Sequence, residues 1–156
     1  GRKASGVRGI RLKDDKDEVV GMISVNDMDS DILVVSKNGY GKRSSLEDYR
    51  ITNRGGKGVK TISITEKTGK LVSIKNVSDN DDLMIINKSG IAIRMEVASL
   101  RVMGRATQGV KLINLKNTDS IAAVAKVVHE EDEVTDLEDI DVIEEKKEEN
   151  KEENNI

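Results

Sequence analysis

Arg54-Gly55-Gly56-Lys57-Gly58-Val59-Lys60 is the middle copy of a pattern that occurs three times: an arginine, three residues, Gly-Val, then a base. The other copies are Arg2-Lys3-Ala4-Ser5-Gly6-Val7-Arg8 and Arg105-Ala106-Thr107-Gln108-Gly109-Val110-Lys111, which start 52 residues before it and 51 residues after it. A fixed interval of that size is the length of one four-stranded blade, and such self-similarity outranks local signals in deciding a fold.

Around the copies the chain reads as short β-branched runs between turn residues. Candidate strands are 7–12, 18–25, 31–36 and 40–46 in one unit and 59–64, 70–77, 82–87 and 91–97 in the next. Lys37-Asn38-Gly39 and Lys88-Ser89-Gly90 mark the hairpins, because tight strand connections need the positive φ angles that Asn and Gly adopt. From 31–60 to 82–111 the two units align without a gap at an offset of 51, placing Arg43 on Arg94, Arg50 on Arg101 and Arg54 on Arg105. A third unit begins at 110–115 and stops after 121–128.

Proline is absent and helical periodicity is weak, so the body is expected to be all-β: propeller-like blades, about two and a half four-stranded repeats of ~51 residues. Two and a half units cannot close a ring, which takes four to eight blades. Either further blades lie upstream of Gly1 or the piece is an open arc, and a start without Met points to a piece of a longer protein.

The formal net charge of −3 conceals two opposed parts. From His129 onward there are 14 Asp/Glu against 3 Lys, a net of −11, which leaves 23 Lys/Arg against 15 Asp/Glu in 1–128, a net of +8. The expectation is one basic domain over 1–128 and a disordered acidic tail over 129–156, too poor in apolar residues to offset its ordering entropy. A basic body calls for a polyanionic partner.

Catalytic signals are missing. Gly41-Lys42 and Gly56-Lys57 lack the Ser/Thr and the earlier glycine of a phosphate loop. Asp27-Met28-Asp29-Ser30-Asp31 opens like a calcium loop but has Ile32 where the turn glycine belongs. There is no cysteine, the single histidine is His129, and no metal site or nucleophile–histidine pair can be assembled. A chain without cysteine fits a reducing cytoplasm, and no apolar run approaches the roughly 18 residues that span a bilayer.

What recurs is base. Each full unit puts Arg or Lys at four matched sites, Arg43, Arg50, Arg54 and Lys60, then Arg94, Arg101, Arg105 and Lys111, and Arg2 and Arg8 extend the set upstream. Lys42 and Lys57 accompany it. Equal positions in stacked blades come out at equal heights, so these residues are expected to form a phosphate-binding stripe along the rim. Two tyrosines are too few for a base-stacking, single-strand surface, which favours duplex DNA. A protein-interaction propeller is the competing class.

Gly6-Val7-Arg8-Gly9-Ile10-Arg11-Leu12, Asn38-Gly39-Tyr40-Gly41-Lys42-Arg43 and Gly104-Arg105-Ala106-Thr107-Gln108-Gly109-Val110 resemble the last blades of the DNA gyrase A C-terminal domain, over residues 1–128. The resemblance implies a β-pinwheel whose basic rim wraps duplex DNA for negative supercoiling. It also implies a bacterial, cytoplasmic, nucleoid-associated holoenzyme of two gyrase A and two gyrase B chains, with ATP and Mg²⁺ used outside this stretch. The family's box reads Gln-Arg-Arg-Gly-Gly-Lys-Gly and sits in its first blade. Here Thr52-Asn53 precede Arg54, which makes this a box-like repeat. The related C-terminal domain of topoisomerase IV, a decatenating and geometry-sensing relative, is the alternative.

Overall fold

The computed structural model describes residues 3–116 and 118–128, so Arg2 and the acidic tail lie outside the described residues. Ile32-Leu33-Val34-Val35 is an unbroken apolar run, the mark of a strand covered on both faces. It lies within β1 (Asp31–Ser36), all six residues of which are buried. The hairpin Lys37-Asn38-Gly39, with Gly39 at φ +81°, returns the chain into β2 (Tyr40–Ser45) along one edge of β1. Along the other edge runs β3 (Leu71–Val77), also antiparallel.

The second unit repeats the arrangement, with β4 (Asp81–Asn87) between β5 (Ala92–Glu96) and β7 (Ile121–Val128). A short β6 (Val110–Lys111) adds to β2, giving sheet orders β3-β1-β2-β6 and β5-β4-β7. Both sheets shift register at matched points, between Val35 and Ser36 and between Ile86 and Asn87. The Ser36 hydroxyl donates to the Tyr40 carbonyl at 3.0 Å and Asn87 Oδ1 accepts from the Ile91 N–H at 2.6 Å, so each bulge residue ties down its own hairpin, and Ser36 also bonds the Thr68 carbonyl at 2.7 Å in the turn before β3.

The all-β expectation holds, but the sheets are not four consecutive strands of one unit. Each hairpin takes its outer strand from the unit that follows. A buried strand cannot leave one edge of N–H and C=O groups unpaired, and the hairpin satisfies only one edge of β1. The sequence-predicted strands 7–12, 18–25 and 59–64 are correspondingly not strands. The 18–25 run is the repeat equivalent of β3, yet among the described residues no hairpin lies beside it, and Met22 is left 92% exposed.

The period-two alternation of β1 feeds two cores. Leu33 and Val35 face a large one shared with Val77, Leu83, Ile85, Ile121 and Val124, which joins the two sheets. Ile32 and Val34 face a smaller one closed by Ile62. Each fully buried aliphatic side chain contributes about 1.5–3 kcal/mol. Among the described residues no helix is long and apolar enough to cross a membrane.

Candidate nucleic-acid interface

The three copies of the repeated loop share one backbone device. Gly6, Gly58 and Gly109, the glycines of the pattern, each have φ +77°. An L side chain held there costs about 1–2 kcal/mol, so the glycine recurs for the turn itself. Gly109 is further constrained, because a Cβ on it would overlap the Gly41 carbonyl where β6 meets β2.

The loops are stacked in register. The Gly55 N–H donates to the Gly9 carbonyl and the Arg11 N–H to the Gly56 carbonyl, both at 2.8 Å. One unit on, the Ser63 N–H donates to the Thr107 carbonyl at 3.0 Å, as does the Ser63 hydroxyl to that of Ala106. Each turn is thus seated on the segment that leaves the preceding loop. Arg105 reaches the Lys60 carbonyl with Nη1 at 3.5 Å. This stacking brings together Arg8, Arg54, Lys57 and Lys60, which are exposed, and Arg105, which is half-buried. Lys111 is exposed on β6, and Arg50 and Arg101 are exposed just after single turns of 3-10 helix at Leu46–Asp48 and Val97–Ser99.

Two of the expected rim bases do not reach the surface. Arg43 is 8% exposed and held by two carboxylates, Nε to Asp31 at 2.5 Å and Nη1 to Asp79 at 2.6 Å. Burial alone lowers its basicity, but the hydrogen bonds to Asp79 and Asp31 outweigh it and raise the guanidinium above its usual value. Lys42 is 1% exposed, and its ammonium donates to the Gly104 carbonyl at 2.5 Å and to that of Arg105. Burial holds it below the usual lysine value. It is a clamp for the third loop, which the Met103 N–H to Arg43 carbonyl bond (2.8 Å) and the Ser44 hydroxyl to Met103 carbonyl bond (2.7 Å) also fasten. Arg94 stays partly exposed, but its Nε pairs with Asp82 at 2.6 Å. The Arg43–Arg94 match in the repeat therefore marks a structural ion pair, Asp31–Arg43 in one unit and Asp82–Arg94 in the next.

Acidic residues gather at the far end of the sheets from the hairpin turns, where Asp31, Asp79, Asp81 and Asp82 engage Arg43, Arg94 and Lys126. Among the described residues no group of His, Cys, Asp or Glu is arranged to hold a metal ion. The calcium-like stretch is a turn in which the Asp29 N–H donates to Asp27 Oδ1 at 3.0 Å. Repeat matching misses Lys67 and Lys116, which stand beside Tyr40 and Lys111 at the hairpin end. Neither has a basic counterpart one unit away, so recurrence gives them no signal.

Three comparisons with known proteins bear on this surface. The family model described as DNA gyrase C-terminal domain, beta-propeller, matches residues 1–26, 30–78 and 81–127. The second and third segments each run from a hairpin to the outer strand that pairs with it, the blade as the structure draws it. The gyrase A protein of Staphylococcus aureus strain MRSA252 is 49% identical over 135 residues, covering 85% of this chain and 15% of the relative. A solved DNA gyrase A C-terminal domain superposes with a TM-score of 0.72 at 31% identity, over 79% of this chain and 41% of that one. A topoisomerase IV C-terminal domain superposes with a TM-score of 0.73, over 81% and 39% of the two chains, but at 20% identity it shares the fold alone. The chain spans about 15% of the length of the curated relatives it matches.

Proposed function

The chain belongs to the DNA gyrase C-terminal domain family, and on that premise we propose that it binds duplex DNA along the stacked loops and bends it around the rim. The observation that carries this reading is the row itself. Arg8, Arg54, Lys57 and Lys60 are exposed side chains on loops whose backbones are bonded to one another, so a phosphate backbone running along the loops would meet base from one unit to the next. Gly56 and Gly58 carry no side chain that would keep phosphate oxygens from the loop backbone, while the Gly55 N–H is committed to the Gly9 carbonyl.

Contacts of this kind fix position and carry no base sequence directly, so preference among sites arises from how easily each DNA sequence bends. Bending a 20–30 base-pair site by 40–90° costs about 1–6 kcal/mol, which several phosphate contacts must offset. In the holoenzyme with gyrase B, the wrapped duplex would be handed to the strand-passage gate for ATP-dependent negative supercoiling in the bacterial cytoplasm. The chemistry lies outside this stretch. Identity to gyrase A sequences supports supercoiling over the decatenating alternative, since the topoisomerase IV likeness is one of fold.

The test is the full-length protein, assembled with gyrase B, carrying Arg54→Glu, Lys60→Glu and Arg105→Glu. The expected result is loss of DNA wrapping and of negative supercoiling with ATP-independent relaxation retained. Supercoiling at the unmodified rate would remove the loop row from the DNA path.

A further inference from the structure

The lysines without repeat counterparts, Lys67 and Lys116, line one site together with Lys111 of the repeated set. At the seam between the two sheets, a pocket of about 230 Å³ is lined by Asn38, Tyr40, Lys67, Lys111, Lys116 and Asp119. Its parts arrive from two strands, a hairpin and two turns. Tyr40 begins β2 and is the register partner of Lys111 in β6. Lys67 sits in the turn before β3, whose carbonyls at Glu66 and Lys67 accept from the Asn38 amide at 3.0 and 3.2 Å. Lys116 and Asp119 belong to the turn that leads into β7, closed by the Asp119 N–H to Lys116 carbonyl bond at 2.9 Å. The Lys67 ammonium stands 5.4 Å from the centre of the Tyr40 ring, a cation–π contact that fixes it over the pocket.

The chemistry of the lining is that of an anion site. Three exposed lysines face one carboxylate, and that carboxylate is already engaged by the Ser89 hydroxyl at 2.7 Å and the Ser120 N–H at 2.8 Å. The pocket is smaller than the 300–1,000 Å³ typical of drug-sized ligands, and its size suits a single phosphate group with its water. It also adjoins the loop row, because Lys111 ends the pattern that Arg105 begins. The position is not repeated, since Ile91 stands one unit on from Tyr40.

We propose that this seam pocket holds a phosphodiester group of the bound duplex where the DNA crosses from one sheet to the next, with Lys67, Lys111 and Lys116 as its ligands and Tyr40 positioning Lys67. The inference rests on the DNA-binding reading above and adds a contact outside the repeated set. The experiment measures binding of a linear duplex fragment by the full-length protein across a salt series, with Lys67→Gln/Lys116→Gln and, separately, Asp119→Asn. Losing two phosphate contacts lowers the slope of log affinity against log salt by about 2. Removing the Asp119 charge raises affinity, a gain that damage to the fold does not mimic. Duplex should also shield Lys67 and Lys116 from acetylation in the unmodified protein. An unchanged slope together with unshielded lysines, while the parent protein binds duplex normally, overturns the pocket. Failure of the parent protein to bind duplex at all overturns the underlying reading instead.

Discussion

At the scale of single residues the basic positions divide by burial, and the division predicts opposite phenotypes. Arg43→Ala leaves Asp31 buried without its partner, and loss of about 3–5 kcal/mol is expected in chemical denaturation. Arg54→Ala should change stability by less than about 0.5 kcal/mol and lower the salt slope of DNA binding by about 1. The repeat alignment could not separate the two, because a structural ion pair and a phosphate contact recur with the same period. The partner carboxylates Asp31 and Asp82 recur too, and they were the available signal. Lys42 adds a pH signature. Its folded value lies below the ordinary 10.5, so between the two the unfolded chain holds more protons and stability rises with pH through that window. Lys42→Met should remove that rise, read as unfolding free energy against pH. The loop glycines separate in the same way. Gly6→Ala meets nothing within 4 Å and should cost only its strain of about 1–2 kcal/mol, whereas Gly109→Ala also meets the Gly41 carbonyl and should cost more.

At the scale of elements, strand identity follows from who stands beside a segment. The runs 18–25 and 71–77 have similar β-branched composition, yet only the second is a strand, because β1 offers it an edge. Hydrogen exchange should show this directly. Amides of β1, bonded on both sides, are expected to exchange slowest and those of 18–25 fast, and equal protection would contradict the pairing. The hairpins and their central strands were legible because Asn38-Gly39 and the unbroken apolar runs of β1 and β4 are local signals. The exchange of outer strands between units was not, since it depends on which edge a loop delivers the chain to and leaves no mark on any one strand's pattern. Tyr49 illustrates the same limit. It packs in the smaller core and its hydroxyl bonds Thr61, a contact across 12 residues that composition does not disclose.

At the scale of the whole molecule, charge is sorted along the blades. Carboxylates collect at one end around Arg43, Arg94 and Lys126, while the stacked loops and the seam pocket present base. The net of +8 over 1–128 implied a polyanion partner, but only the interlocked sheets show which bases remain at the surface to meet it. A protein-interaction propeller would need no such row, and its binding would not follow a counterion law. The most direct measurement is therefore the affinity of the full-length protein for duplex DNA as a function of salt. Engagement of about 6–10 phosphates predicts a fall of roughly 10³–10⁵-fold between 50 and 200 mM, and a smaller fall when Arg54, Lys60 and Arg105 are neutralised together. Affinity that stays level across that range, or a slope indifferent to those three substitutions, would contradict the account.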